Sequence, residues 1–298
     1  MRIRPFDYHA ATALPEALEL LGRYGARAQV LAGGTDLVLA MKDKRASPEH
    51  LVDIRGISEL EFVERDGESV RIGALARHAD VAAHPLLRRH FPGLCAAVGS
   101  IGSWQIRNVG TVGGNLCNAS PAADAAAALL ALGARVVLAD RGGLEQLPLA
   151  SFVTGPGATA LRPGQLLREV VLDLPSGAPA GCYLKLRRRK GVDISLAGVA
   201  VHAELDADGR ALGRVGIALG GVAPTPLRAS EAEALLTGRS LPEALEQLPR
   251  CVEAAVAVIR PITDVRASAD YRRAVVASFV GKAVRAVLDE LFGKGARR

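Results

Sequence analysis

Aromatic residues are scarce in this chain: one Trp, four Tyr and six Phe among 298 residues, 4% of the total. Surfaces that grip single-stranded nucleic acid rely on stacking platforms, so a net charge of +6 (37 Lys and Arg against 31 Asp and Glu) does not make a nucleic-acid binder. That excess, much of it in Arg187–Lys190 and Lys294–Arg298, suits a solvated face, a subunit contact or an anionic partner. The four cysteines, Cys95, Cys117, Cys182 and Cys251, are scattered and contain no Cys-x-x-Cys pair, which argues against zinc or an iron–sulfur cluster in this chain. They read as reduced thiols. Long apolar runs are missing too. Ala125–Leu132 is less than half of the roughly 20 residues a membrane span needs, and Met1–Pro5 is not followed by a signal core, so the expected location is cytoplasmic.

What the chain does have is 49% hydrophobic residues, enough at this length for two or three packed units, and two glycine pairs set among small polar residues. The stretch Asn108–Asp124 contains Thr111, Val112, Gly113, Gly114 and Asn115, then Pro121 and Asp124, and leads into the run Ala125–Ala131. Glycines there allow a tight turn, positive φ and close approach of main-chain N–H groups to an anion. Pro121 suits a first helical turn, and Asp124 presents a carboxylate near a helix start, where it can accept from sugar hydroxyls. By itself this segment is equally a hairpin turn ahead of an ordinary amphipathic helix. A second stretch, Leu31-Ala32-Gly33-Gly34-Thr35-Asp36-Leu37, follows the apolar Ala28–Val30 and repeats the composition. Two such loops can hold one extended diphosphate from both sides.

Along the rest of the chain, Leu14, Leu18 and Leu21 recur at helical spacing, with Pro15 and Glu16 in the first turn and Gly22 or Gly25 as the stop. Strands are expected at 28–32 and 50–54, and a short helix at 37–41. Residues 62–72 read as a hairpin about Asp66-Gly67. His78, His84 and His90 recur every six residues, but six helical steps rotate a side chain by about 240°, so they do not converge on a metal. Residues 91–107 read as one helix carrying Leu94, Val98 and Ile101, and 135–140 as a buried strand. Gly155–Ala160 matches G-x-G-x-x-A, yet Leu161-Arg162-Pro163-Gly164 follows where a helix is required, so a Rossmann site is rejected. Gln165–Pro175 is strand-like and Ser176–Ala180 reads as a linker. Alternation then puts Tyr183, Lys185 and Arg187 on one strand face, with Leu184 and Leu186 on the other. Segments 198–205 and 215–220 complete an antiparallel meander, packed by helices at 229–236, 241–258 and 268–291.

The two glycine loops, their spacing and the later segments resemble the FAD-binding subunits of molybdenum hydroxylases, the family of carbon monoxide dehydrogenase, xanthine dehydrogenase and 4-hydroxybenzoyl-CoA reductase, over essentially the whole chain. The resemblance implies an α+β fold: a two-part FAD-binding region of the vanillyl-alcohol-oxidase (PCMH) type in residues 1–55 and 56–176, and a C-terminal antiparallel sheet packed with helices in 177–298. It implies FAD contacts at Leu31–Leu37 and Thr111–Asn115, at Ile101 and Leu167, and a lysine at Lys185 approaching the flavin, with Asp193 in the same pattern. An ammonium there would stabilise charge gained on reduction. One departure is clear. The cysteines that hold an inserted cluster in the benzoyl-CoA type are missing.

No residue set supplies a nucleophile, a base dyad or a metal site, so the chemistry expected is the cofactor's. FAD is expected with its diphosphate between Gly33–Asp36 and Thr111–Asn115, Asp124 at the ribose and the ring near Lys185. The resemblance further implies a molybdenum-cofactor (molybdopterin-type) large subunit and a small subunit with [2Fe-2S] clusters as partners. It implies a heterotrimer that can itself dimerise, and NAD, a quinone or another external acceptor or donor of electrons. Two other readings stay open: a self-sufficient flavin oxidoreductase of the same superfold, which needs an acid or base beside the flavin, and a scaffold that has lost its flavin.

Overall fold

The computed structural model describes residues 3–189 and 191–293. Met1, Arg2, Lys190 and 294–298 lie outside the described residues, and with them part of the basic run 187–190 and the basic terminus. The first sheet is parallel, with β1 (Asp7–Ala10), β2 (Ala28–Leu31) and β3 (His50–Asp53) in the order β1-β3-β2. Helix α1 (Leu14–Tyr24) joins β1 to β2 and buries Leu14, Ala17, Leu18 and Leu21, the stripe seen in the sequence. Gly25, at φ +53°, ends it with an N–H to the Leu21 carbonyl. Because the strands are parallel, their carboxyl ends share one edge. There β2 runs into residues 32–36 and on to α2 (Leu37–Lys42), the position where open α/β sheets bind ligands.

The second sheet is antiparallel. The expected hairpin is β4 (Val63–Asp66) and β5 (Ser69–Gly73); β6 (Arg135–Asp140), β7 (Gly143–Pro148) and, further on, residues 166–173 complete it. Between β5 and β6 lie α3 (His78–Ala83), α4 (Pro85–His90), α5 (Pro92–Gly99), α6 (Trp104–Val109), α7 (Val112–Cys117) and α8 (Asp124–Ala131). Residues 91–107 are therefore two helices, not the one expected. Gly102 adopts φ +51° and Ser103 is extended, its Oγ accepting from the Ile106 N–H at 3.3 Å, so a new helix starts where continuity was predicted. His78, His84 and His90 fall at the start of α3, the α3–α4 junction and the end of α4. After α9 (Leu149–Phe152), the G-x-G-x-x-A stretch forms β8 (Val153–Gly155) and β9 (Ala158–Thr159), a small hairpin whose Gly157 N–H bonds the Ala119 carbonyl. No helix follows it. β10 (Leu166–Asp173) then takes the centre, in the order β4-β5-β10-β6-β7.

The third sheet runs β11 (Pro179–Leu186), β12 (Ala197–Leu205), β13 (Leu212–Gly220) and β14 (Leu227–Arg228), all antiparallel, with β11 beginning inside the stretch read as a linker. Helices α10 (Ser230–Leu236), α11 (Leu241–Ala257) and α12 (Ala269–Gly293) cover one face, where Val199, Val201 and Ala203 are buried. The other face of β12 and β13 meets α8, with Ala200 and Ala218 in that core. Both faces are covered, which explains why Ala197–Val201 is small and apolar without alternation, whereas His202 and Glu204 toward the end of β12 are buried as a polar pair.

The contacts here are close. A Cβ on Gly216 would sit 1.8 Å from the Ala131 carbonyl oxygen, and the Gly221 N–H bonds the Pro121 carbonyl at 2.7 Å. Buried Glu204 accepts from the Ser176 N–H (3.0 Å) and meets His202 Nε2 (3.1 Å) and Arg214 Nη1 (3.4 Å), while Arg214 also reaches the Leu132 carbonyl. Burial works against the Glu204 charge, but the bond to His202, its charge, the Ser176 N–H and Arg214 outweigh it and hold the carboxyl below its ordinary value. The unfolded chain therefore binds this proton first. The stabilisation is complete above the ordinary glutamate pKa, about 4.3, and fades as pH falls toward the lower folded value. Glu204→Gln should lose less melting temperature than the native chain as pH falls from about 5 to about 3. Parallel curves for the two would remove Glu204 from the acid response.

Candidate functional site

The first glycine loop is free to serve a ligand. The carbonyls of Gly34 and Asp36 accept from Val38 and Ala40 as α2 begins, while the N–H groups of Gly33, Gly34, Thr35 and Asp36 meet no protein acceptor among the described residues. Gly34 stands at φ +70°, where a side chain is strained. Gly33 is needed for another reason: a Cβ there would lie 2.2 Å from the Val109 carbonyl oxygen and 2.9 Å from the Gly110 Cα. The two glycine-bearing segments thus press against each other, although they are far apart in sequence.

The second segment departs from the turn expected. Residues 112–117 are helical, Gly113 and Gly114 do not adopt positive φ, and Thr111 caps the helix with Oγ accepting from the Gly114 N–H at 3.0 Å. The N–H groups of Val112, Gly113 and Asn115 are likewise engaged, by the carbonyls of Ala76, Ala74 and Thr111. Helix capping has used the donors that a turn would have left free. Gly113 is small because Ala74 is packed on it; a Cβ would come within 2.7 Å. Gly114 faces the first loop, with the nearest atoms to an added Cβ being Thr111 Oγ at 3.0 Å and the Ala32 methyl at 4.0 Å. Asn115 keeps a buried Oδ1 without a partner.

Asp124 begins α8, while Pro121, expected in its first turn, lies ahead of it. The Asp124 carboxylate is buried and shared: Oδ2 accepts from Lys185 Nζ at 2.6 Å and Oδ1 from the Tyr183 hydroxyl at 2.5 Å. Strand register explains the meeting. Tyr183 and Lys185 pair with Ala200 and Gly198, on the face of the third sheet that receives α8. Lys185 also donates to the Ser100 carbonyl at 3.2 Å, and its side chain is only 6% exposed. Burial pushes the Asp124 carboxyl above its ordinary value, opposed by the Lys185 charge and by both hydrogen bonds, and burial with the Asp124 charge holds the Tyr183 phenol well above its own. The phenol is a permanent donor.

Of the other expected residues, Ile101 is half-buried beside this group, its carbonyl taken by Arg107 Nη1 at 2.7 Å. Asp193 builds the turn after β11, accepting from the Arg188 N–H at 2.8 Å and the Ile194 N–H at 3.0 Å. Leu167 lies in β10, the strand packed behind the second glycine segment, and its side chain faces the core. It is 3% exposed and pairs with Leu138 of β6. The sequence reading missed Tyr183 as more than a face-mate of Lys185, and also missed Ser100 and Gly198. Register against β12 was the signal available. Trp104, 74% exposed with the Arg107 guanidinium 4.8 Å over its ring, carried no signal at all.

Residues 4–175 match the family model described as the FAD binding domain in molybdopterin dehydrogenase, and residues 182–287 match the CO dehydrogenase flavoprotein C-terminal domain. The chain belongs to this family. It is 34% identical to the carbon monoxide dehydrogenase medium chain of Hydrogenophaga pseudoflava over 94% of its own length and 96% of that protein's. To the nicotinate dehydrogenase FAD-subunit of Eubacterium barkeri it is 32% identical over 98% and 99%. Among solved structures, a chain of reconstituted CO dehydrogenase from Oligotropha carboxidovorans superposes with a TM-score of 0.91 at 33% identity, over 97% of this chain and 99% of that one. The protein is therefore an FAD-dependent oxidoreductase subunit of the molybdenum hydroxylase kind, with an α+β fold.

The geometry of this flavin subunit fits such a cofactor. Four unused main-chain donors in one loop suit a diphosphate, the bare Cα of Gly114 leaves room opposite them, and the orphaned Asn115 oxygen awaits a donor. The sequence expectation had Asp124 at the ribose and Lys185 at the ring. With Lys185 Nζ 2.6 Å from Asp124 Oδ2, the two form one ion pair and not two separate subsites. His78 is buried against Gly110, and burial followed by the Arg107 charge lowers its pKa to about 4, so the imidazole is neutral. No helix among the described residues is long and apolar enough to cross a membrane.

Proposed function

We propose that FAD lies extended along this subunit, its diphosphate over the free N–H groups of Gly33–Asp36 and beside Thr111, Gly114 and Asn115, and its flavin ring near the Asp124–Lys185 pair. Leu31, Ala32 and Leu37 flank the first loop, Val112 and Gly113 pack behind the second, and Ile101 borders the ring. The units 1–55 and 56–176 supply one loop each, and 177–298 supplies Lys185. Bound FAD would take up electrons singly or in pairs. The chain's own residues bind and orient it, and the Lys185 ammonium favours the negative charge gained on reduction.

Electrons would arrive from an iron–sulfur subunit, which draws them from a molybdenum-cofactor subunit acting on the organic substrate, and would leave to NAD, a quinone or another acceptor, with the assembly a heterotrimer or a pair of heterotrimers. The relatives named as medium chains and FAD-subunits support this reading, as does one observation here: the group at the proposed ring position is an ion pair with a phenol, and Asp124 is committed to Lys185 and Tyr183 rather than free to act as a base. Purified chain should be yellow, release one FAD per polypeptide and turn over no organic substrate alone. Its complex, co-purified from cells, should contain molybdenum and iron that the isolated chain lacks. Substrate oxidation by the isolated chain would favour a self-sufficient flavoprotein instead.

A further inference from the structure

The Lys185 ammonium has three donors; Asp124 and the Ser100 carbonyl take two, and the third meets no protein acceptor among the described residues. Where that third N–H points depends on the Asp124 carboxylate, and the carboxylate is held from its far side by one group. We infer that Tyr183 is a positioning residue for the flavin's redox chemistry: its hydroxyl fixes Asp124 Oδ1, so that Oδ2 fixes the Lys185 ammonium, and through that pair it sets the reduction potential of the bound flavin. This rests on the reading that Lys185 faces the flavin ring.

The arrangement is built, not incidental. Tyr183 and Lys185 stand two residues apart on β11, so they share a face. Directly across from Lys185 on β12 is Gly198, and a Cβ there would lie 2.5 Å from the Tyr183 hydroxyl oxygen. The missing side chain is what lets the phenol lean along the sheet to Asp124. Asp124 is fixed in turn at the start of α8, and the loop before α8 is tied to the third sheet by the Gly221 N–H on the Pro121 carbonyl. If the hydroxyl is removed, a buried carboxylate oxygen has lost its partner, and the side chain must turn to find another. Turning carries Oδ2 away from Lys185. The phenol itself exchanges no proton in this scheme, since burial and the Asp124 charge keep it protonated.

Two substitutions break the link from opposite sides. Tyr183→Phe keeps the ring and deletes the hydroxyl, whereas Gly198→Ala keeps the hydroxyl and pushes it off Asp124. With the full chain and bound FAD, each should retain the cofactor and shift the two-electron equilibrium toward the oxidised flavin by about tenfold, a potential lower by about 30 mV. Lys185→Met should shift it at least as far, and adding Tyr183→Phe to Lys185→Met should change nothing more, because the tyrosine acts through the lysine. A purely structural tyrosine would lower the melting temperature and leave the potential unmoved; that result, or additive shifts in the double variant, would overturn the proposal. An unmoved potential in Lys185→Met overturns it by placing Lys185 away from the ring, and a native chain that binds no FAD defeats the functional reading itself.

Discussion

Gly114→Val should strip FAD from the purified subunit while leaving its fold intact. The Cα of Gly114 faces the first glycine loop, and an added Cβ meets only Thr111 Oγ at 3.0 Å and the Ala32 methyl at 4.0 Å. A first carbon there requires Thr111 Oγ to give by a few tenths of an ångström, and the two methyls of valine then occupy the space between the loops. Overpacking of about 1–3 kcal/mol falls on the bound state, weakening FAD by about 10- to 100-fold. The helix itself does not suffer, because valine is no worse a helix former than the glycine it replaces. Flavin absorbance per protein should collapse while the melting temperature of the cofactor-free chain stays within about 2 °C of the native apo value, on the order of 0.5 kcal/mol. Full flavin content in this variant would remove residues 111–115 from the cofactor site.

Gly33→Ala should show the opposite profile, with cofactor and stability lost together. A methyl group 2.2 Å from the Val109 carbonyl oxygen is inside any permitted contact, and the opposing atoms are backbone that cannot swing aside. The segments carrying Gly33 and Val109 must separate, which opens the site and costs about 3 kcal/mol. Denaturant unfolding of the apo chain should show that loss directly, with FAD content near zero. An apo chain as stable as the native one would mean that the two segments do not touch in solution. The pair of variants therefore separates a glycine kept for the ligand from a glycine kept for the fold.

Much of the chain is legible in order along its sequence. The Leu14-Leu18-Leu21 stripe, the Asp66-Gly67 hairpin, the failed context of Gly155–Ala160 and the alternation of Tyr183-Leu184-Lys185 all follow from short-range rules, and the structure agrees with each. The errors share a cause. Residues 91–107 were joined into one helix because apolar spacing persists across Gly102 and Ser103, where a cap and a positive φ interrupt it. Thr111–Asn115 was read as an open turn because glycine pairs favour turns, whereas Thr111 caps a helix that consumes the free donors.

The amino-acid order alone determined where the two diglycine segments fall, that no metal-binding cysteine pattern exists, and that a lysine would share a strand face with a tyrosine, since each depends on residue type and local period. Which glycine touches which backbone, and that Asp124, Lys185 and Tyr183 form one buried group, was decided only when α8 docked across the third sheet. Those three residues are joined by packing between units distant along the chain, and local propensity holds no record of such contacts.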